Sequence, residues 1–161
     1  MTDIIFTPIG TILTPFQEPR GTPIQPRAAR GVAGTVALLP EYAAGLQDLE
    51  GFSHIFLIYH FHLSKAFSLK VKPFLNDEKR GVFATRAPAR PNPIGVSLVR
   101  LAKVTGDNLQ VLDVDMVNGT PLLDIKPFVP EFDVGPQARV GWLKQHLEKL
   151  RNTRDDGRFT T

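Results

Sequence analysis

The most unusual stretch of the sequence is TRAPARPNPIG, residues 85–95, in which three prolines surround two arginines and one asparagine. Each proline fixes its own φ and pushes the preceding residue out of the helical region, so the backbone around Asn92 is largely preset. The guanidinium groups of Arg86 and Arg90 suit carboxylates or phosphates, and the Asn92 amide can both donate and accept hydrogen bonds. We predict a preorganised ligand-binding loop, with a rigid barrel-closing loop as the structural alternative.

Two histidines, His60 and His62, end the most apolar run of the sequence, SHIFLIYHFHL at residues 53–63. In a strand they would share one face and could both ligate zinc. The sequence assigns no third ligand, so we favour hydrogen-bonded core or pocket histidines over a metal centre. A metal-dependent hydrolase that uses His60 and His62 stays open as an alternative function.

Two carboxylates, Asp113 and Asp115, lie two residues apart in LQVLDVDMV, residues 109–117. If this run is a strand, both side chains share a face, and each must reach solvent or a partner because a buried unpaired carboxylate is costly. One interpretation is an exposed barrel face. The other is a polar pocket beside the NGTP turn, in which Asp115 could hold ribose hydroxyls, an amine or a cationic centre.

The composition is that of a single soluble globular domain of 161 residues, 42% hydrophobic and 22% charged. The net charge of +3 permits an anionic partner without requiring one. The absence of cysteine excludes disulfides and thiolate chemistry, and the Rossmann, P-loop and G-x-S-x-G motifs are missing. With neither a signal peptide nor an apolar run long enough for a membrane span, we expect a cytoplasmic protein and no membrane partner.

The hydrophobic pattern predicts mainly strands, at residues 3–14, 34–40, 53–63, 81–85, 95–105, 109–117 and 122–128. Helical spacing of apolar residues predicts a short helix over 41–52 and an amphipathic helix over 136–152. The expected fold is a small single-domain β-barrel over residues 1–135, with the C-terminal helix packed on it and a frayed tail over 153–161.

Five blocks of the sequence occur in an order that resembles the TsaA-like family, which includes the TrmO-type tRNA methyltransferases. The blocks are PIGTILTPF, GTPIQP, LEGFSHIFLIYHFH, GVFATRAPARPNPIGVSL and DMVNGTPLLDIKPF, and they span residues 8–128. The resemblance implies a β-barrel that uses S-adenosylmethionine, and a homodimer with the cofactor near the subunit interface. It also implies methylation of the N6 nitrogen of N6-threonylcarbamoyladenosine, beside the anticodon of threonine tRNA.

The same resemblance implies roles for individual residues. It predicts a cofactor pocket formed by Pro23, Ile24, Gln25, His62, Leu63, Arg86, Leu98, Asp115, Met116, Val117, Asn118, Gly119 and Thr120. Arg86 is expected to pair with the methionine carboxylate, and Asp115 to face the ribose or the cationic end of the cofactor. Asn92 is expected to orient the acceptor group, with His62 or Asp115 as the base.

RNA phosphates are expected to contact basic side chains, foremost Arg27, Arg30 and Arg90. Some family members carry a further C-terminal domain, whereas here the expected helix over 136–152 follows the last matching block. The chain could therefore rely on its dimer, choose its tRNA less strictly or act on a different substrate. A cofactor- or RNA-binding module without catalysis is the remaining alternative.

Overall fold

In the computed structural model, which describes residues 1–160, six antiparallel strands close into a barrel in the order β1-β2-β7-β6-β3-β8. A separate two-stranded sheet pairs β4 with β5. The strands are β1 (Gly10–Leu13), β2 (Ala33–Leu38), β3 (His54–His60), β4 (Lys70–Val71), β5 (Arg80–Gly81), β6 (Ile94–Thr105), β7 (Asn108–Leu112) and β8 (Thr120–Pro127). The mainly β barrel that the sequence predicts is confirmed.

Helical structure is confined to short turns. The 3₁₀ helices span Pro26–Ala29, Pro40–Leu46, Leu49–Gly51, Val82–Ala84, Gly141–Gln145 and Leu147–Lys149, and α1 spans Pro130–Asp133. The helix predicted over 41–52 is instead two 3₁₀ helices, because Asp48 between them has a φ of 68°. Within residues 1–160, no helix is long and apolar enough to cross a membrane.

The core fills the barrel with alternate residues of each strand. Along β3, Ile55, Leu57 and Tyr59 point inward and are buried, while the residues between them face outward. Fully buried side chains from the other barrel strands complete this cluster, among them Ile12, Val36, Val99, Leu109, Val111 and Leu122. The period of two expected for residues 53–63 is therefore present as far as His60.

Several predicted strands are shorter than expected, and for three of them the structure shows a local reason. The first begins only at Gly10, since Leu38, the last residue of β2, already pairs with Gly10 and nothing pairs with residues 1–8. The predicted strand over 81–85 is a 3₁₀ turn after Gly81, where the amide and the hydroxyl of Thr85 both donate to the Val82 carbonyl. The strand over 109–117 stops at Leu112, because Asp113 has a φ of 74°.

The predicted C-terminal helix over 136–152 does not form as one helix. Gln137 and Gly141 have φ values of 55° and 56°, which interrupt a continuous right-handed helix, and this segment contains only two short 3₁₀ helices, the first of which begins at Gly141. The apolar spacing of this segment still serves packing, because Leu143 and Leu147 line a cavity described below. The division of the chain at residue 135 stays a prediction.

The tail predicted to fray over 153–161 is instead anchored as far as the described residues extend. The Asp155 carbonyl accepts a 2.6 Å hydrogen bond from the Gly21 amide, and the Asp155 amide donates to the Thr22 carbonyl at 2.9 Å. Phe159 is buried in a second hydrophobic cluster. The prediction was wrong because these contacts join residues far apart in the sequence, which local composition does not indicate.

The second hydrophobic cluster lies outside the barrel and connects three segments. Val71 and Val82 belong to the small sheet and its turn, Ala87 and Ala89 to the proline-rich loop, and Phe159 to the C-terminal segment. All five side chains are at most 8% exposed. The proline-rich loop is thus held by burial of its alanines as well as by its prolines.

Closure of the barrel depends on a glycine at the start of β1. A Cβ on Gly10 would overlap the Ala37 carbonyl oxygen and lie 2.9 Å from Leu38 Cα, and both are backbone atoms of the paired strand. We expect Gly10→Ala to lower the free energy of unfolding by about 1–3 kcal/mol, measured by urea denaturation. Gly45→Ala is the matched control, because a Cβ there meets nothing within 4 Å. Equal stability of the two variants would contradict the role of Gly10.

Candidate functional site

A cavity of about 960 Å³ lies against the outer face of β3 and β6. Six segments contribute to its wall: residues 19–27, 61–64, 73–75, 83–92, 115–120 and 142–160. Phe56 and Leu98 of the barrel form part of its apolar floor. Its size is in the range of sites for drug-sized ligands and cofactors, which makes it the candidate site.

The proline-rich loop at the cavity is fixed by its own hydrogen bonds. Arg90 Nη1 donates to the carbonyl oxygens of Thr85 and Ala87, at 3.0 and 3.3 Å. The Ile94 amide donates to the Asn92 carbonyl at 2.7 Å. Arg90 therefore braces the loop from inside, while Asn92 is exposed and lines the cavity. The two interpretations of this loop, structural and ligand-binding, apply to different side chains.

Arg86 connects two walls of the cavity. Its Nη1 donates a 2.8 Å hydrogen bond to Gln25 Oε1, across the cavity from the proline-rich loop to residues 19–27. Within residues 1–160, Arg86 makes no ion pair. The guanidinium thus keeps its positive charge and further N–H donors for an anionic ligand.

Asp115 is held by a short chain of hydroxyl groups. Ser97 Oγ donates to Asp115 Oδ1 at 2.6 Å, and the Tyr59 hydroxyl lies 2.9 Å from Ser97 Oγ. Gly95 makes room for this arrangement, since a Cβ there would overlap the Tyr59 ring and lie 2.8 Å from Phe61 Cζ. Sequence reasoning missed Tyr59 and Ser97, although each is the lone polar side chain pointing inward from an apolar strand.

Burial sets the protonation behaviour of the site. It raises the pKa of Asp115 to about 7, against the opposing effects of the Ser97 hydrogen bond and the Arg86 charge. The pKa of Tyr59 is raised well above its ordinary value by burial and by Asp115. Burial and the neighbouring His60 lower the pKa of His62. A carboxyl group that titrates near neutral pH is suited to accept a proton.

The structure brings most of the predicted site residues together. All three predicted catalytic residues, Asn92, His62 and Asp115, line the cavity. So do nine further residues of the predicted cofactor set, namely Pro23, Ile24, Gln25, Leu63, Arg86, Leu98, Met116, Val117 and Thr120. Of the predicted RNA-binding arginines, Arg27 and Arg90 line the cavity and Arg30 does not.

Asn118 and Gly119 are not among the cavity-lining residues and instead attach the turn before β8 to the first strand. Asn118 Oδ1 accepts a hydrogen bond from the Thr14 amide, and the Gly119 amide donates to the Ile12 carbonyl, both at 2.9 Å. The φ of Gly119 is 83°, which favours glycine. These contacts give both residues a structural role at the edge of the site.

Asp113 and Asp115 do not share a strand face, contrary to expectation. Asp113 accepts hydrogen bonds from Arg100 Nε and Nη2, at 2.7 and 2.8 Å, and from the Gly31 amide at 2.8 Å. The Arg100 hydrogen bonds are the main reason that the pKa of Asp113 is lowered. Asp113 thus pairs with β6, and only Asp115 lines the cavity.

His60 and His62 also fail to share a strand face. β3 ends at His60, and the His62 amide donates to the His60 carbonyl at 2.9 Å, so the chain turns there. His60 is exposed and His62 lines the cavity. In the described part of the chain, no group of three or more His, Cys, Asp or Glu residues is placed to hold a metal ion.

The C-terminal segment forms a wall that sequence reasoning did not assign to the site. Trp142 Nε1 donates to the Ala84 carbonyl at 2.8 Å, beside Phe83 and Arg86. Trp142, Leu143, Leu147, Leu150, Asp155 and Phe159 all line the cavity. The spacing of apolar residues indicated a buried face on this segment but not which surface it covers.

The raised pKa of Asp115 predicts a pH-dependent stability. Folding moves this pKa from 3.8 to about 7, so the folded state holds a proton that the unfolded state releases, and stability falls as pH rises between these values. We expect Asp115→Asn to gain stability relative to the parent protein from pH 5 to pH 8, measured by urea unfolding.

Asp113→Asn is the matched control for this measurement. Folding lowers the pKa of the Asp113 carboxyl in the parent protein, so Asp113 is ionised in the folded and the unfolded state throughout this pH range. Its stability difference from the parent should therefore stay constant with pH. If the stability difference between Asp115→Asn and the parent protein also stayed constant with pH, the pKa of Asp115 would not be raised on folding.

Comparison with known proteins places this chain and its fold in one family. Residues 11–134 match the model of the tRNA-methyltransferase O N-terminal domain. A probable S-adenosyl-L-methionine-binding protein of Pyrococcus abyssi is 58% identical over 156 residues, which is 97% of this chain and 85% of that protein. The crystal structure of TrmO from Pseudomonas aeruginosa superposes with a TM-score of 0.74 at 38% identity, over 88% of this chain.

The relatives differ in how much of their length is matched. The human tRNA (adenine(37)-N6)-methyltransferase is 39% identical over 140 residues, which is 81% of this chain but 31% of that enzyme. The match covers 63% of the Pseudomonas TrmO chain. The family match covers residues 11–134, which include every strand of the barrel except Gly10 of β1, and this chain belongs to the family of the tRNA-methyltransferase O N-terminal domain.

Proposed function

We propose that this protein is an S-adenosylmethionine-dependent methyltransferase that acts on tRNA, with the cofactor bound in the 960 Å³ cavity. The observation that carries the proposal is that one cavity contains an unpaired guanidinium, Arg86, and a carboxyl group near neutral pKa, Asp115. Relatives named as S-adenosyl-L-methionine-binding proteins and tRNA methyltransferases support it.

The residues present fit the cofactor's chemistry. Arg86 offers further donors for the methionine carboxylate, and the apolar floor at Phe56 and Leu98 suits the adenine ring. Asp115 carries negative charge, when ionised, for the cationic sulfur or the ribose. When bound, S-adenosylmethionine supplies a methyl group attached to positively charged sulfur.

The chain's own residues would then align and deprotonate the acceptor. In our proposal the acceptor is the N6 nitrogen of N6-threonylcarbamoyladenosine in threonine tRNA. Asn92, on a braced loop, orients the ureido group, and alignment of the reacting atoms supplies much of the rate enhancement. Held by Arg86, Asp115 and the apolar floor, the cofactor would supply the methyl group that this nitrogen accepts. The N–H proton passes to Asp115, with His62 as the alternative base.

Basic residues at the cavity support an RNA substrate. Arg27 lines the cavity and is exposed, and Arg30 lies exposed three residues further along the chain. Their charges suit the phosphates on either side of a splayed-out base. Phe83, 75% exposed at the cavity edge, offers an aromatic face for that base. A cytoplasmic location, where tRNA is available, follows from this substrate.

A direct assay tests the proposed activity. Purified protein is incubated with methyl-labelled S-adenosylmethionine and tRNA, and the nucleosides are analysed by mass spectrometry. We expect label on threonylcarbamoyladenosine of threonine tRNA. In cells lacking the gene, the methylated nucleoside should disappear; its persistence, where no other enzyme makes it, would refute the tRNA assignment.

Two cavity variants separate binding from turnover. We expect Arg86→Ala to weaken cofactor binding by about tenfold or more, because a charge-assisted hydrogen bond is lost. We expect Asn92→Ala to reduce turnover at saturating cofactor while binding changes little. Calorimetry and steady-state kinetics measure the two effects, and Arg30→Ala, outside the cavity, is the control for cofactor binding. The reverse pattern would overturn this division of roles.

We also propose a homodimer with the cofactor near the subunit interface. Its support is the apolar surface at the rim of the cavity, where the lining residues Ile94 and Val96 are each 42% exposed. We expect sedimentation equilibrium to give twice the chain mass for the parent protein. We expect a Val96→Glu variant to sediment as a monomer, because it places a charge in the interface. A monomeric parent protein would refute the dimer.

A further inference from the structure

We infer that Ser97 and Tyr59 are positioning residues of the proposed reaction, forming a hydroxyl chain that orients Asp115 and favours its ionised form. The inference rests on the proposed function, and the two residues it names act through Asp115. Neither hydroxyl has an assigned role in cofactor or RNA binding. Their arrangement is built into the central strand pair of the barrel.

The register of β3 and β6 places the two hydroxyls next to each other. Tyr59 pairs with Gly95, and Ser97 is two residues further along β6, so the two side chains are diagonal neighbours on the inner face. Ser97 is 1% exposed and Tyr59 is 4% exposed. A side chain at Gly95 would overlap the Tyr59 ring, so glycine there is a condition of the arrangement.

When Asp115 is ionised, the direction of each hydrogen bond in the hydroxyl chain is fixed. A carboxylate only accepts hydrogen bonds, so Ser97 must donate its proton to Asp115 Oδ1. Ser97 Oγ is then the acceptor for the Tyr59 hydroxyl, 2.9 Å away. Each donation strengthens the next, so Tyr59 reinforces the hydrogen bond of Ser97 to the carboxylate.

Within residues 1–160, no cation contacts Asp115 directly, and the carboxylate is stabilised mainly by the hydrogen bond from Ser97 and by one from its own backbone amide. The charged and titratable groups that line the same cavity are Arg27, Tyr59, His62, Arg86, Arg90 and Asp155. Of these, Arg86 acts on Asp115 through its charge without an ion pair. Burial favours the protonated acid, and a protonated acid cannot accept the proton of the methyl acceptor.

The pH dependence of turnover tests the inference. The acidic limb of the kcat profile should reflect protonation of Asp115. Ser97→Ala should move this limb upward by about one pH unit, because a hydrogen bond to the charged form is lost. Tyr59→Phe, which keeps Ser97, should move it in the same direction by a smaller amount. Turnover of both variants should recover at high pH.

The control removes a buried hydroxyl that makes no hydrogen bond to Tyr59, Ser97 or the Asp115 carboxyl. Thr14 Oγ1 donates to the carbonyl of Met116, the residue after Asp115, at 2.8 Å. Thr14 itself is not among the residues that line the cavity. Thr14→Val should lower the melting temperature without moving the acidic limb. The inference would be overturned if Ser97→Ala left the acidic limb of the kcat profile in place, or if Thr14→Val moved that limb by the same amount.

A second measurement separates this inference from the proposed function. The carboxyl ¹³C resonance of Asp115 is titrated by NMR in the parent protein, in Ser97→Ala and in Tyr59→Phe. A higher pKa of Asp115 in both variants supports the hydroxyl chain, whether or not tRNA is methylated. An unchanged pKa refutes it. Absence of methyl transfer by the parent protein refutes the function alone.

Discussion

The antiparallel pairing of β3 with β6 positions most of the candidate site. Its seven residue pairs run from His54 opposite Arg100 to His60 opposite Ile94, and the Phe61 amide extends the pairing to the Pro93 carbonyl at 2.7 Å. The inner face of this ribbon supplies the buried hydroxyls of Tyr59 and Ser97, and the outer face supplies the cavity floor at Phe56 and Leu98. Tyr59 also borders the cavity. A shift of one residue would exchange the two faces, so the hydrophobic core that fixes the register also fixes the chemistry.

The cavity combines a rigid wall with a charged one. The proline-rich loop is held by its prolines, by Arg90 and by the buried Ala87 and Ala89, so it needs little ordering when a ligand binds. Arg86, on this loop, and Asp115, before the turn that leads into β8, form no ion pair with each other in the described part of the chain. Each charge therefore remains available for a ligand that contains both a carboxylate and a cationic centre.

Sequence patterns predicted the barrel and the proline-rich loop because both depend on local chemistry. The alternation in β3 follows from a two-residue period, and the loop follows from the fixed φ of proline. Asp113 was placed wrongly because its positive φ is imposed by the Arg100 and Gly31 contacts, which lie far away in sequence. The Tyr59–Ser97–Asp115 chain likewise needs three segments at once, and no single segment indicates it.

The anchoring of Asp155 to Gly21 and Thr22 has a consequence for how the protein is made. Residues 154–159 leave the ribosome after every strand of the barrel, and their contacts close a loop that spans most of the chain. Contacts of such sequence separation form late, since the entropy of loop closure must be lost before the contacts stabilise the fold. During synthesis the cavity is therefore an open groove, and its outer wall is the last part of the protein to take shape.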